Sequence, residues 1–594
     1  MNERLLGLKD RVLSTKPTLC IERARIYTAV HRDHEELPIV RKRGLALRRT
    51  LEEMTIFIAE GELIVGNHAS RSKAAPIFPE YAIAWIEKEI DTIDQRPAES
   101  YSISDGEKAE LREICAYWRG RTLQEHCHAL LSPELEAILD SGIVKAEGNM
   151  TSGDGHVAIN LPKVLELGIG GYRRLVGDAN AALDLTRQAD LHKRQLYLAM
   201  FDALDGLSAF IGRFATLADT MAAATADGSR RTELSTIAAT CAAVVTEPPQ
   251  DFRQALQLSY FLLLVLQIES NGHSLSFGRL DQYLWPWYER DIRSGAISRE
   301  SARELLCCTW LKMVAIKKVR SWSHTRYSAG GPLYQNVTIG GVGRDGQDAT
   351  NDLSLLILES VGDMKLTQPN LSVRYHPAMS QEFLMAAIKV IEKGFGMPAF
   401  NNDEVVLPGM LKRGVSLEDA RDYSAIGCIE VAVPGKWGYR TTGMSFLNFM
   451  KVLLATLDNG KDPASGKTFL GGTGSLRDFA DFDALMAAWK QQVEFFTRAT
   501  VAIDTAVDTG LEELVPDILC STFTDDCIGR GKHLKEGGAI YDWISGLQVG
   551  IANLGNALAA IKKLVFEEGS IGREELLQAL ASDFSIRSVP KFKM

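Results

Sequence analysis

Residues 422–440 read DYSAIGCIEVAVPGKWGYR, and this stretch places a cysteine, Cys428, two positions before a carboxylate, Glu430. Small apolar residues flank the pair and a Pro-Gly turn follows it, which predicts a tight loop. No second cysteine and no histidine stands beside Cys428. The stretch therefore raises the question of what a thiol and a carboxylate do together in one loop.

The composition is that of a large globular protein. The chain has 594 residues, 46% of them hydrophobic, and a formal net charge of −10 with no basic block. We do not expect nucleic-acid binding, because phosphate contacts need clustered Lys and Arg. The N-terminus is charged, and the longest apolar run, at 260–266, is far shorter than the ~18 residues that predict a membrane span. We therefore expect a cytoplasmic protein without membrane contact.

The cysteines are scattered and do not suggest a framework. There are nine, with no C-x-x-C pair, which argues against disulfides and against a zinc ribbon, so no bound metal is expected. The adjacent pair Cys307 and Cys308 lies in an amphipathic helical pattern, which predicts core packing.

The order of patterns predicts an α/β fold in a single domain spanning 1–594. Apolar residues at helical spacing indicate a mainly helical part over 1–145. From 146 to 584, amphipathic helices alternate with short β-like runs and with loops rich in Gly and Asn, among them YQNVTIGG at 334–341. This alternation is typical of barrel-like closure, and barrel enzymes carry their reactive groups on such loops.

Cys428 lacks the neighbours that activate a nucleophilic thiol. A thiolate needs a nearby positive charge, base or helix N-terminus, and the sequence offers none here. A thiol that gives up a hydrogen atom needs none of these, and it benefits from a dry site. We expect Ile426, Gly427 and Ile429 to exclude water, which would suit Glu430 to acid–base work. A passive loop cysteine is the alternative.

Several ordered motifs closely resemble those of glycyl radical enzymes of the pyruvate formate-lyase superfamily. They are SAIGCIEVAVPGKWG at 424–438, ESNGHSLSFGRLDQY at 269–283, LTQPNLSVRYH at 366–376, GMPAFNNDE at 396–404 and YDWISGLQVGIANLGNALAAIKKLVF at 541–566. The resemblance runs from about residue 20 to about residue 584. Within the superfamily the chain looks most like the group of probable formate acetyltransferase 3 and dehydratase-type C–O lyases.

The resemblance implies a fold and a set of roles. The fold is an α/β barrel of two antiparallel five-stranded half-barrels wrapped by helices, in which a cysteine loop meets a glycine loop. Cys428 becomes the thiyl radical carrier, Glu430 deprotonates the substrate hydroxyl, and His156 protonates the departing hydroxyl. His273 and Ser274 match substrate-binding positions. From the residues alone, a capped turn and a satisfied polar loop are the preferred interpretation of His156, His273 and Ser274.

The resemblance also bears on the substrate. Pyruvate formate-lyases carry two adjacent cysteines in this loop, whereas Gly427 precedes Cys428 here, so formate C-acetyltransferase activity is the alternative and a C–O lyase or dehydratase is favoured. Thr442 stands where glycerol-type dehydratases have an aspartate, which argues against glycerol. A small polyol or a sugar-alcohol phosphate, as in 1,5-anhydroglucitol-6-phosphate lyase, is the expected substrate. Candidate phosphate ligands are Arg374 and a basic segment, for which a solvated turn is the preferred interpretation: Lys317, Lys318, Arg320, His324 and Arg326.

The radical glycine of the family is not present in this sequence. Its motif, R-V-x-G followed by an aromatic residue, is absent, and the similarity ends near residue 585. We therefore expect a barrel that is incomplete at its C-terminus and a chain that is inactive alone. A separate glycyl radical polypeptide could complete it, and a non-catalytic remnant or scaffold is the further alternative. In the family a separate iron–sulfur enzyme using S-adenosylmethionine installs the radical, no cofactor binds the chain itself, and homodimers are common.

Overall fold

Helices dominate the part of the chain that the structure describes. The structure is a computed structural model and describes residues 2–153, 155–326, 333–439 and 445–585. Its α-helices, α1 to α26 in chain order, are Glu3–Ser14, Glu22–Asp33, Ile39–Glu53, Ala84–Glu89, Asp105–Trp118, Leu123–Ala129, Pro133–Ser141, Glu147–Ser152, Leu161–Ala181, Gln188–Ala224, Gly228–Ala243, Phe252–Glu269, Leu280–Tyr283, Trp285–Ser294, Arg299–Ala315, Trp322–Thr325, Asp352–Met364, Gln381–Ile391, Asp403–Lys412, Leu417–Arg421, Phe449–Leu457, Phe482–Leu514, Ile518–Thr522, Cys527–Arg530, Ile551–Ile561 and Arg573–Ala581. Two 3-10 turns, Ile93–Gln95 and Leu534–Glu536, and one π-helical segment, Lys562–Glu567, complete the helical elements of the described residues.

The strands are short and form four small sheets in the described residues. In chain order β1 to β10 are Thr18–Cys20, Ala74–Pro76, Val144–Lys145, Asn336–Gly340, Asn370–Tyr375, Ala399–Asn402, Ser424–Ile426, Glu430–Ala432, Phe446–Asn448 and Leu547–Val549. β4, β5 and β6 form a parallel sheet in that order, while β7 and β8 form an antiparallel hairpin. β1 pairs with β2, and β9 lies between β10 and β3. Parallel strands joined by helices confirm the predicted α/β class.

The chain divides into two compact units. The first comprises 1–123, 151–441 and 511–543, and the second comprises 124–150, 442–510 and 544–594. These boundaries do not coincide with the predicted change of character at residue 145, which stays a prediction together with the single domain.

The first unit is built around tightly packed helices that position its loops. Helix α12 is buried continuously from Ala255 to its last residue, Glu269. Helix α10 packs closely against α3, since a Cβ atom added to Gly44 would lie 2.8 Å from the Cβ atom of Ala199. Every residue of β4 is buried as well. The C-terminus of α12 and the N-terminus of β4 are thus rigid supports for the loops that leave them.

The second unit has its own apolar core. Helices α21, α25 and α26 contribute Leu453, Leu554 and Leu576 to one buried cluster. Within this unit Val144 and Lys145 of β3 pair antiparallel with β9.

The described residues contain neither a membrane-spanning helix nor a metal-binding cluster of side chains. None of the described helices is long and apolar enough to cross a membrane. In the same residues no group of three or more His, Cys, Asp and Glu side chains is arranged to hold a metal ion.

Candidate active site

Cys428 lies at the tip of the β7–β8 hairpin. Ile426 and Glu430 are paired across the hairpin, and residues 427–429 form its turn. Gly427 has a φ of +59°, in the left-handed region that favours glycine. The Cys428 side chain is exposed, unlike the other eight cysteines, which are buried. Because a strand, and no helix, follows the turn, no helix N-terminus stabilises a thiolate here.

His156 and Glu430 lie against the turn that precedes the cysteine. A Cβ atom added to Gly427 would lie 2.6 Å from Cδ2 of His156, 2.9 Å from its Nε2 and 2.7 Å from Oε2 of Glu430. The carboxylate also accepts a hydrogen bond from the Ile429 amide, at 3.0 Å. An imidazole and a carboxylate therefore border one small volume beside Cys428, and that volume exists because residue 427 has no side chain.

The surroundings keep the Cys428 thiol protonated. Partial shielding of the sulfur from water and, second, the negative charge of Glu430 raise the pKa of Cys428 to about 11. At neutral pH roughly one such thiol in ten thousand is ionised. Cys428 is thus suited to donate a hydrogen atom and poorly suited to act as a nucleophile.

Tyr334 is a site residue that the sequence analysis did not select. Burial and then the charges of Cys428 and Glu430 raise the pKa of the Tyr334 phenol. Its ring centroid is 6.1 Å from that of His273. Tyr334 lies in the YQNVTIGG loop that the pattern analysis noted, but no spacing rule connects this loop with residue 428.

The loops that carry His156 and His273 are held together through their backbones. The His156 amide donates to the His273 carbonyl at 3.0 Å, and a Cβ atom on Gly155 would lie 1.7 Å from that oxygen. The two imidazole rings meet edge to face, with centroids 5.2 Å apart. His156 and Ser274 both have positive φ, at 60° and 65°. Such backbone strain in residues other than glycine is concentrated at functional sites.

His273 and Ser274 offer polar atoms to a ligand. Nδ1 of His273 and Oγ of Ser274 are buried and make no hydrogen bond to any described residue. Burial, followed by nearby His156 and Arg320, lowers the pKa of His273 well below its usual value, so this imidazole is neutral at pH 7. Buried polar atoms without a protein partner are costly unless a ligand or water binds them.

The structure brings five of the predicted site residues together: Cys428, Glu430, His156, His273 and Ser274. Thr442 lies outside the described residues. The expectation that Ile429 shields the site is wrong for the described residues, because this side chain is 67% exposed; Ile426 is fully buried, as expected.

Arg374 does not join this group. Its guanidinium is fully buried and paired with Asp403, and it also donates to the carbonyl oxygens of Arg421 and Tyr423. With its donors used in this way, Arg374 belongs to the scaffold under the cysteine hairpin and not to the substrate site, which corrects the prediction.

The basic segment at 317–326 also differs from expectation. The preferred interpretation, a solvated turn, is wrong for Lys318, which is 5% exposed and donates to backbone carbonyls. Lys317 pairs with Glu99, and Arg320 binds Asn271. His324 is half-buried and Arg326 is exposed.

Comparisons with known proteins agree with the fold. The pyruvate formate lyase-like family matches residues 1–592. The Probable dehydratase YbiW of Escherichia coli (strain K12) is 53% identical over 591 residues, covering 98% of this chain and 73% of that protein. The (2S)-3-sulfopropanediol dehydratase of Klebsiella oxytoca is 33% identical, covering 98% of this chain and 71% of that protein. The glycerol-bound B12-independent glycerol dehydratase from Clostridium butyricum superposes with a TM-score of 0.95 at 34% identity, over 98% of this chain and 74% of that chain.

The chain belongs to the pyruvate formate lyase-like family of glycyl radical enzymes, and within it to the dehydratase type of lyase. The predicted α/β barrel of this family is confirmed by the structural match. Membership implies a small-molecule substrate and a glycyl radical that an activating enzyme generates.

Proposed function

We propose that this chain carries the thiol, base and substrate loops of a radical C–O lyase that dehydrates a small polyol or a sugar-alcohol phosphate. The observation that supports it most is the Cys428 thiol, kept protonated at a hairpin tip beside Glu430 and His156. A nucleophilic site would need a lowered thiol pKa, and here it is raised.

Cys428, Glu430 and His156 have different roles in the proposed reaction. The chemistry that the glycyl radical supplies, when it is present, is abstraction of the hydrogen atom from the Cys428 thiol. Cys428 then takes a hydrogen atom from the substrate carbon that bears a hydroxyl group, and Glu430 accepts the proton of that hydroxyl. The C–O bond of the adjacent carbon breaks, and His156 gives the departing hydroxyl a proton, so that water leaves. Cys428 finally returns its hydrogen atom to the product, a carbonyl compound, and no external oxidant or reductant is consumed.

His273 and Ser274 bind the substrate in this proposal. A neutral His273 can accept or donate a hydrogen bond to a hydroxyl, and the buried Ser274 hydroxyl can do the same. Thr442 remains a proposed substrate contact. Position 442 holds a threonine where glycerol-type dehydratases have an aspartate, and this difference favours a substrate other than glycerol.

Formate C-acetyltransferase activity is disfavoured by the shape of the turn. A second cysteine at position 427 would place its Cβ atom within 3 Å of both His156 and Glu430, and residue 427 has a left-handed φ. A pair of adjacent cysteines therefore does not fit this site unless its neighbours move.

The radical and the partners are further proposals. The glycine motif is absent from the 594 residues, so the radical would reach Cys428 from a glycine outside this sequence, on a continuation of the chain or on a separate polypeptide. A radical S-adenosylmethionine activating enzyme would install it. We also propose a cytoplasmic location and a homodimer, both from the family resemblance. A non-catalytic remnant or scaffold is the outcome if no glycine source restores turnover.

The test is an anaerobic reconstitution. The 594-residue chain is combined with an activating enzyme, S-adenosylmethionine and a polypeptide that corresponds to the C-terminal part of the E. coli relative. Glycerol, 1,2-propanediol and 1,5-anhydroglucitol 6-phosphate are each supplied, and carbonyl products are measured by mass spectrometry. We expect product from at least one substrate, and none from Cys428→Ser. The matched control Cys308→Ser changes a buried cysteine and should stay active.

Two results would contradict the proposal. One is carbonyl product from the Cys428→Ser chain, since serine cannot carry the hydrogen atom in this way. The other is formation of formate and acetyl-CoA from pyruvate and CoA, which would restore the acetyltransferase alternative.

A further inference from the structure

The loop that carries His273 and Ser274 begins with carbonyl groups bound by arginines. At the C-terminus of α12, the carbonyl oxygens of Ile268 and Glu269 accept hydrogen bonds from Arg23, at 2.8 and 3.3 Å. Arg43 also donates to the Glu269 carbonyl, at 3.1 Å. Cationic donors are favourable here, because the last carbonyls of a helix carry partial negative charge.

Lys318 and Arg320 continue this pattern along the loop. The Lys318 ammonium donates to the carbonyl oxygen of Ser270, at 2.6 Å, and to that of Gly272. The Arg320 guanidinium donates to the side-chain oxygen of Asn271, at 2.5 Å, and to the Asn271 carbonyl. Two side chains from one short segment thus bind three consecutive carbonyls of the loop.

As a result, every backbone carbonyl from 268 to 272 accepts from a lysine or arginine side chain. The next carbonyl, that of His273, accepts from the amide of His156, and the Ser274 amide donates to the Leu333 carbonyl at 2.8 Å. Nδ1 of His273 and Oγ of Ser274 have no hydrogen-bond partner among the described residues. The backbone of the loop is therefore what directs these two side chains.

The two cations act mainly on this loop. Lys318 is 5% exposed, and burial lowers its pKa well below the usual value; burial also lowers the pKa of Arg320 to about 10. Neither forms an ion pair with a carboxylate of the described residues, in contrast to Lys317, which pairs with Glu99. Burying a cation away from carboxylates is unfavourable, so the carbonyl oxygens of residues 270–272 are the groups that compensate it.

We propose that Lys318 and Arg320 are positioning residues for the substrate site, which fix the backbone of residues 270–272 and through it the side chains of His273 and Ser274. This inference rests on the proposed function, because a positioning role requires that these two side chains bind substrate. The contacts themselves do not depend on it, and they can be tested without turnover.

The first test is hydrogen–deuterium exchange on the 594-residue chain and on its Lys318→Met and Arg320→Met variants. Methionine replaces the aliphatic part of the side chain and removes the donors. We expect the amides of Gly272 and Ser274 to exchange roughly tenfold faster in each variant. Strand β4 (336–340) serves as the internal reference, and Lys317→Met is the matched control, since the Lys317 ammonium does not touch the loop.

The second test follows the titration of His273 by NMR of ¹³C-labelled histidine rings, with the resonance assigned by its loss in His273→Gln. The groups that face this ring are His156, Tyr334, Lys318, Arg320 and His324. Removing the charge in Arg320→Met should raise the pKa of His273, whereas Arg320→Lys should keep it low. General loosening of the fold would not produce this dependence on charge.

The outcomes separate clearly. Faster exchange confined to the loop, together with a raised His273 pKa that Arg320→Lys reverses, supports the proposal. The proposal would be overturned if the amides of Gly272 and Ser274 exchanged within twofold of their rates in the unsubstituted chain, or if the amides of β4 were accelerated equally. Failure of the reconstituted lyase assay with both tests positive would instead refute the proposed function and leave the loop contacts established.

Discussion

The β7–β8 hairpin and helix α15 (Arg299–Ala315) both carry cysteines whose thiol pKa is raised, but these cysteines differ in exposure and in the groups beside the sulfur. In α15, Cys307 is fully buried and burial raises its pKa to about 12, while Cys308 is 3% exposed. In the hairpin, the Cys428 side chain is exposed, and the charge of Glu430 adds to the effect of partial shielding from water on the pKa of its thiol. A raised pKa alone therefore does not mark a reactive thiol. Access, and an acid–base pair beside the sulfur, distinguish Cys428.

The largest expected effect is the difference in alkylation between these two regions. In the native chain, iodoacetamide should modify Cys428 at least about 1,000-fold faster than Cys307 or Cys308, because the buried thiols react only after local opening. Mass spectrometry of tryptic peptides measures both rates in one sample. Equal alkylation rates at Cys428 and at the two α15 cysteines would show that access does not distinguish these thiols.

A substitution at Gly427 should break the hairpin site while leaving α15 unchanged. In Gly427→Ala the new Cβ atom meets His156 and Glu430 at under 3 Å and the residue must keep a positive φ, so we expect roughly a 100-fold loss of turnover in the reconstituted assay. Gly409→Ala is the matched control, since its Cβ atom would meet nothing within 4 Å. Full activity of Gly427→Ala would show that the space beside Gly427 is not needed.

The pH dependence of alkylation sharpens the comparison further. With a pKa of about 11, the rate at Cys428 should rise about tenfold per pH unit up to about pH 11 and, below pH 9, stay roughly 100-fold under that of a free cysteine. Glu430→Gln removes a negative charge that disfavours the thiolate, so the pKa of Cys428 should fall and the rate at pH 8 should rise several-fold. An unchanged profile in Glu430→Gln would mean that the carboxylate does not act on the thiol.

The smallest effect concerns stability. Cys308→Ser places a hydroxyl in a buried site and should lower the free energy of unfolding by about 1–3 kcal/mol, whereas Cys428→Ser should change it by less than about 0.5 kcal/mol. Thermal unfolding followed by calorimetry compares the two variants. A larger loss for Cys428→Ser would assign Cys428 to the packing of the fold.

Sequence patterns were sufficient where the relevant groups are close in the chain. Cys428 and Glu430 lie in one hairpin because only two positions separate them, and the helical pattern around Cys307 and Cys308 correctly predicted burial. Patterns were insufficient for the charged residues. Lys318 and Arg374 carry charges that composition rules assign to the surface, yet both are buried because backbone carbonyls and Asp403 satisfy their donors.

The amino-acid sequence by itself thus determined the family, the single loop cysteine and its neighbouring carboxylate. All three depend on residue identity and short spacing, and both can be read from the sequence without knowledge of the fold. Only the tertiary structure decided that His156, His273 and Tyr334 meet beside Cys428. It also decided that Lys318 and Arg320 bind the backbone of residues 270–272, which precede His273. These residues are separated by tens to hundreds of positions, and long-range backbone contacts, such as the hydrogen bond from the His156 amide to the His273 carbonyl, bring them together. No periodicity encodes such contacts, because they arise from the packing of whole helices and strands.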